Sequence, residues 1–431
     1  MALPPTSTQL FTAATFRAAA TLAAALDAGL FPSTGQRILV VSHHAATPEA
    51  SPALDTLPGF ARLRGRFDRV VSWNETIRPF HPGGWEPRPG DVPLWERQLR
   101  LLWGLGNTPV ELITESPAQP LAQLFPDAPV DVYAPGLAGY GPTPHKLDGF
   151  TGTRVGRLLH LDLLPGVEPL LLTEFGVPPE PIPGKAFRGV LSELAAPEAS
   201  RVQTGGEGEG EGAALVIGEC AGLRAAYELG HRDIVAFRAG PSAALKKEAG
   251  ELGVRLTVVA EEEDQAAALP EVLYERLRPP VVIGRPTTAL LIAHCLYGLP
   301  VIRTGTEPLL GELTPYENGD RIPLTVADAL LPGVREPRLY EDPAQLGGLL
   351  RAVAFCMQPT VHPASRAAAE RYLSAQLTPR TRRYFTQRRL ASLGLPGGLP
   401  SRLSFLARSP ALRRTVRRAR ALRTGRRTGR K

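Results

Sequence analysis

The chain has 431 residues, enough for two to three domains whose cores need no disulfide or metal staple. Its net charge of +7 is unevenly distributed: residues 371–431 carry 18 basic and no acidic residues, leaving 31 basic against 42 acidic residues before them. An acidic body with a basic extension argues against a basic nucleic-acid-binding domain and points to an interaction of the tail instead. Three cysteines, Cys220, Cys295 and Cys356, show neither disulfide pairing nor zinc spacing, which fits a reduced, cytoplasmic setting. The start, MALPPTS, has no basic signal-peptide region. No apolar run reaches the ~20 residues that a membrane helix needs.

In chain order, a first strand is expected at Leu10–Ala14, followed by an Ala-rich helix at Phe16–Ala28 that Gly29 closes. Ile38–Ser42 and Val70–Val71 read as the next strands. After Pro93, the residues Leu94, Gln98, Leu99, Leu102 and Leu105 give one face of a helix. Val110–Thr114 and Val130–Tyr133 are further strands. The run TGGEGEGEG at 204–212 has no apolar residue and five glycines, so it buries nothing and reads as a linker. Strand–helix alternation then resumes: strands at Leu215–Ile217, Ile234–Phe237, Arg255–Val259, Val281–Ile283 and Val301–Arg303, with helices at Cys220–Leu229, Ser242–Leu252 and Thr287–Tyr297. Helices are also expected at Ala367–Gln376 and Arg382–Leu393. The pattern implies an α/β protein: a Rossmann-like unit over 1–203, the linker 204–212, a second unit over 213–370, carboxyl-terminal helices over 371–400 and a basic tail over 401–431. Two such units face each other across a central cleft at the carboxyl ends of their strands.

The strongest local site signal is VVIGRPTTAL at 281–290. A buried strand ends at Gly284, Arg285 and Pro286 turn the chain, and Thr287 and Thr288 open a helix whose free amides suit a phosphate; an ordinary threonine cap is the alternative. His145 lies in the loop GLAGYGPTPHKLDG after the strand that holds Asp131, at a cleft edge or simply in solvent. His43 and His44 follow the second strand at its carboxyl end. His160 and His294 stand in apolar contexts and read as core or helix residues. Glu261–Asp264 reads as a solvated acidic run. No Gly-x-Gly-x-x-Gly follows the first strand, no histidines have ligand spacing, and no Asp-x-Asp follows any strand. Dinucleotide cofactors and metal-bridged sugar-nucleotide chemistry are therefore not expected.

Several blocks together resemble bacterial α-2,8-polysialyltransferase family proteins. They are TQLFTAATFRAAATLAAALDAGLF with RILVVSHHAATPE, VYAPGLAGYGPT, RVGRLLHLDLLPGVEPLLLTEFGVPPE, GRPTTALLIAHCLYGLPV and LTPYENGDRIP, in order over about residues 8–335. The resemblance implies a GT-B fold and metal-independent transfer of sialic acid or a related nonulosonate from a CMP-sugar to a cell-surface or lipid-linked glycan, as in capsule or surface-polysaccharide synthesis. It also implies three motifs. The Ser/Thr pair falls on Thr287 and Thr288. The acid that should precede a glycine falls on Pro135 before Gly136, and the His of a His-Pro pair falls on Gly240 before Pro241. Two signature groups are therefore replaced. Asp131, His145, Asp148 and Arg238 are candidate substitutes. The alternative is a non-catalytic relative that binds nucleotide or glycan, or supports polymer assembly.

Residues 401–431 carry 12 basic residues, with Leu412, Val416, Ala419 and Leu422 at helical spacing. This reads either as a basic amphipathic helix on an anionic membrane surface, such as the inner face of a cell membrane, or as a solvated tail. Nucleic acid is disfavoured because no aromatic residue follows Phe405.

Overall fold

A computed structural model of the chain describes residues 7–32, 35–196, 212–218, 220–238, 243–260 and 269–398. The linker from 204 to 211, the acidic run Glu261–Asp264, the pair Gly240–Pro241 and the tail 401–431 lie outside the described residues.

The first unit is a seven-stranded sheet built from β1 (Thr8–Ala13), β2 (Arg37–Val41), β3 (Arg69–Ser72), β4 (Val110–Thr114), β5 (Val130–Ala134), β6 (Val155–Leu161) and β7 (Pro179–Ile182). Its order is β3-β2-β1-β4-β5-β6-β7. The second is a five-stranded sheet of β8 (Ala214–Ile217), β9 (Asp233–Arg238), β10 (Arg255–Ala260), β11 (Val282–Gly284) and β12 (Val301–Arg303), in the order β10-β9-β8-β11-β12. Every pairing is parallel. Helices must then cover both faces, which is why strands such as RILVV and ALVI are apolar almost throughout. Both strand orders are doubly wound: each sheet reverses direction once, between β1 and β4 and between β8 and β11. The expected α/β architecture of two Rossmann-like units therefore stands.

Thr15 starts the Ala-rich helix Phe16–Asp27 by accepting a hydrogen bond from the Ala18 amide. Small side chains let this helix lie close to the sheet, with Ala18 to Ala20 and Leu22 to Ala25 all buried. In the second unit Gly222 plays the corresponding part on the helix Cys220–Glu228: a Cβ there would lie 2.7 Å from Val216.

Two expectations need correction. In the helix Val92–Leu102, Leu94 is 69% exposed and Leu102 53% exposed, so they are not on its buried face. The inward stripe is Trp95, Leu99 and Trp103, because two indoles at that spacing bury more area than the leucines and set the helix rotation. The second is an omission: strands β6 and β7 lie in a stretch where the sequence predicts none. β6 carries Gly156, Arg157 and His160 within its apolar run, and β7 reads Pro-Glu-Pro-Ile. Proline cannot donate to a ladder, so this sequence fits only the sheet edge, where β7 lies.

The carboxyl-terminal helices Leu346–Met357, Arg366–Gln376 and Gln387–Leu393 touch both units. On the first, His362 Nδ1 lies 3.4 Å from Thr173 Oγ1 and its Nε2 3.7 Å from Glu174. On the second, the buried carboxylate of Asp328 meets Arg303 at 3.0 Å and Arg383 at 2.8 Å, and accepts a hydrogen bond from the Tyr384 hydroxyl at 2.6 Å. Among the described residues, no helix is long and apolar enough to cross a membrane.

Candidate active-site cleft

In a doubly wound sheet, neighbouring connections leave in opposite directions at the point of reversal, opening a crevice beyond the strand ends. Here the reversal point of the first sheet faces the second unit. A cleft of about 670 Å³ lies between them. Residues 14–17 after β1, Glu115 after β4 and Pro135–Leu137 after β5 form one wall. Phe237 at the end of β9, Leu269, Pro270 and Thr288 form the other. His43 enters from the end of β2.

The walls are tied together by charge. Arg17, in the first turn of its helix, reaches Glu271 of the second unit, with Nη2 2.6 Å and Nε 3.1 Å from the same carboxylate oxygen. The Glu271 side chain is 0% exposed. Removing Arg17 would strand a buried charge, so the pair holds the cleft at one width.

Glu115 is the cleft's carboxylate. It is half-buried at the end of β4, and the Tyr133 hydroxyl shares its one proton between the Thr12 carbonyl at 2.6 Å and Glu115 Oε1 at 3.3 Å. Burial raises its pKa above the ordinary carboxylate value, and the tyrosine bond only partly offsets this. A carboxyl group with raised pKa, open to a ligand cavity, is suited to proton exchange.

Opposite stands the start of the helix Thr288–Cys295. Thr287 occupies its cap position, as expected, but its hydroxyl caps nothing; that oxygen is buried with no hydrogen-bond partner. The first amides of this helix therefore lack the side-chain cap that threonine usually supplies. Gly136 approaches so closely that a Cβ there would sit 2.8 Å from Thr288 Oγ1. Only glycine allows the two units to meet at this point.

The structure thus brings Pro135, Gly136, His43 and Thr288 together as cleft residues. Gly284 is buried at the end of β11 against Ile217, and half-buried Arg285 and Thr287 precede Thr288 in the chain without lining the cleft. The remaining candidates go elsewhere. Asp131 is the second residue of β5, far along the strand from its cleft end, and pairs with Arg157 at 2.8 Å. His145 is exposed and outside the lining. Asp148 caps the helix Gly149–Thr153 through the Thr151 amide. Arg238 ends β9. His160 is buried beside Tyr140, as expected of a core residue, and burial lowers its pKa. His294 is half-buried on its helix. Sequence reasoning missed Glu115. Its signal is an acid directly after a buried strand, but that becomes meaningful only once β4 is known to lie beside β1.

Among the described residues, no group of three or more His, Cys, Asp or Glu is placed to hold a metal ion. No family model matches the chain, and no curated protein matches it. Solved structures with a similar chain path include UDP-GlcNAc 2-epimerase from Neisseria meningitidis bound to UDP-GlcNAc, at 10% identity and a TM-score of 0.39, covering 87% of this chain and 95% of that one. A UDP-glucosyltransferase from Polygonum tinctorium matches at 11% identity and a TM-score of 0.38, covering 89% and 98%. The E. coli ADP-heptose LPS heptosyltransferase II matches at 10% identity and a TM-score of 0.34, covering 69% and 84%. Likenesses this distant carry nothing about activity, and the fold stands on the strand orders above.

Proposed function

We propose that the chain is a sialyltransferase-like glycosyltransferase that moves sialic acid or a related nonulosonate from a CMP-sugar to a glycan acceptor. The observation that carries this reading is the cleft itself: a carboxyl group with raised pKa, Glu115, faces an uncapped helix start at Thr288 across the meeting point of two Rossmann-like units. The helix amides and the Thr288 hydroxyl would take the phosphate of CMP, for which a helix start is a suitable anion site. The acceptor oxygen attacks the anomeric carbon, and the bond from that carbon to the phosphate oxygen breaks. CMP leaves with the electron pair, and the Glu115 carboxylate takes the acceptor proton. In this reading Glu115 fills the place that Pro135 leaves without an acid.

Titration of CMP, followed by CMP release from CMP-sialic acid with oligosaccharide acceptors, tests the proposal. Thr288→Ala is expected to weaken CMP binding about tenfold to a hundredfold, the worth of one hydrogen bond to a charged group. CMP binding without release across acceptors would favour the non-catalytic relative; no CMP binding would remove both readings.

The reading includes attachment to the inner face of a membrane through the basic residues 401–431. Each basic residue near anionic lipid is worth about 1 kcal/mol. The intact chain is expected to float with phosphatidylserine vesicles at low salt and to be released by about 0.5 M salt, where screening shortens the field. Deletion of 401–431 should abolish flotation, and equal flotation without the tail would rule it out as the anchor.

A further inference from the structure

A second cavity, of about 420 Å³, lies beside the cleft at the carboxyl ends of β2 and β3. Its size is within the ~300–1,000 Å³ of small-ligand pockets. His43 and Leu54 line both spaces, so the chamber and the cleft meet at these two side chains.

The chamber walls are held by specific bonds. His81 joins two loops: its Nε2 lies 2.8 Å from the Ala45 carbonyl, while its Nδ1 accepts from the Gly83 amide at 3.0 Å. Acceptance at Nδ1 leaves the proton on Nε2, so both ring nitrogens of a neutral imidazole are used. Asn74 brackets His43 by accepting from its backbone amide at 2.8 Å and donating to its carbonyl at 2.9 Å. The His43 ring is fixed in turn, with Nε2 2.7 Å from Ser51 Oγ.

Phe80 lines the chamber and is 51% exposed. It stacks on Trp85 with ring centres 6.2 Å apart and planes 25° apart. Trp85 packs on Trp95 at 4.9 Å and on Trp73 at 5.9 Å, and Trp73 on Trp103 at 6.4 Å. All four tryptophans of the chain therefore back one exposed phenyl ring. Leaving such a ring half in water forgoes part of the stabilisation that burial yields, and the stack behind it occupies the space into which the ring would fold. The acidic and guanidinium side chains of the lining are Glu49, Glu75 and Arg78, with Arg78 3.5 Å from Glu75.

An aromatic face beside carboxylates and a guanidinium matches one ligand chemistry well. A sugar ring has an apolar C–H face that packs on an arene and a rim of hydroxyls that both donate and accept. The two acids disfavour a phosphate, and the polar wall disfavours an acyl chain. We propose that this chamber is the acceptor site: it seats the terminal sugar of an oligosaccharide on Phe80 and directs the reacting hydroxyl past His43 into the cleft. This rests on the transferase reading of the cleft.

The experiment uses the full chain, a printed panel of oligosaccharides and a CMP titration on the same preparations. Wild type is expected to retain a subset of the glycans. Phe80→Ala should lose that retention by tenfold or more, and Phe80→Tyr should restore it. Unchanged CMP affinity in both variants shows that the fold and the cleft are intact. Retention by Phe80→Ala equal to wild type, or no glycan retained by wild type, overturns the chamber as acceptor site. Absence of CMP binding in wild type overturns the cleft reading instead, and is seen separately from glycan retention.

Discussion

Glu115→Gln is expected to lower turnover by about 10²–10⁴-fold, the usual worth of general base catalysis, with CMP affinity changed by less than about twofold. An interaction made only in the transition state lowers turnover without weakening ground-state binding, and that split distinguishes proton transfer from a structural role. The pH profile provides a second reading. Glu115 works as a base only when ionised, and burial holds its pKa above the ordinary value of 4.5. Wild-type turnover should therefore rise with pH through that raised value, and this limb should be absent from the residual activity of the glutamine variant. Stability carries the opposite sign. A carboxyl group whose pKa is raised on folding costs nothing below 4.5, where it is protonated in both states. It destabilises progressively as pH rises through the folded value. The glutamine variant should thus melt higher than wild type at neutral pH, with the advantage gone below the ordinary value. Thermal melts across pH check this, and a lower melting temperature at pH 7 would mean that the carboxylate is held by attraction.

Asp328→Asn is expected to cost about 3–5 kcal/mol of stability, the penalty for removing one partner of a buried ion pair. The Asp328 side chain is 0% exposed, and Arg303 and Arg383 both converge on it. The amide keeps the shape and removes the charge, leaving the buried Arg303 and the half-buried Arg383 with less compensation; Glu336 answers both, but it is half exposed at its own end of the network. Urea unfolding monitored by tryptophan fluorescence reads the loss as a lower midpoint. Asp328 is not on the cleft lining, so the still-folded variant should bind CMP as wild type does. Weaker binding in proportion to the stability loss would mean that the carboxyl-terminal helices set the cleft geometry.

The places where sequence reasoning succeeded and failed share a pattern. Strands such as Ile38–Val41 and Val110–Thr114, and the helix start at Thr287, are marked by neighbours within a few residues: a continuous apolar run, a glycine, a cap. Strand β7 escaped because two prolines contradict strand propensity, and only its edge position makes them acceptable. The helix Val92–Leu102 was correctly expected but wrongly rotated, because which stripe turns inward depends on what it packs against.

The candidate base shows the same division. Asp131 and Glu115 look alike along the chain, each an acid within or next to a short apolar, β-rich run. Asp131 lies at the start of its strand with Arg157 from β6 alongside. Glu115 lies just past its strand's end, at the crevice made when β4 pairs with β1 across about a hundred residues. Local spacing determined that there would be two α/β units and a helix opening at Thr288. Long-range strand pairing decided which carboxylate faces that helix start, because an acid's environment is set by the neighbours the fold brings to it.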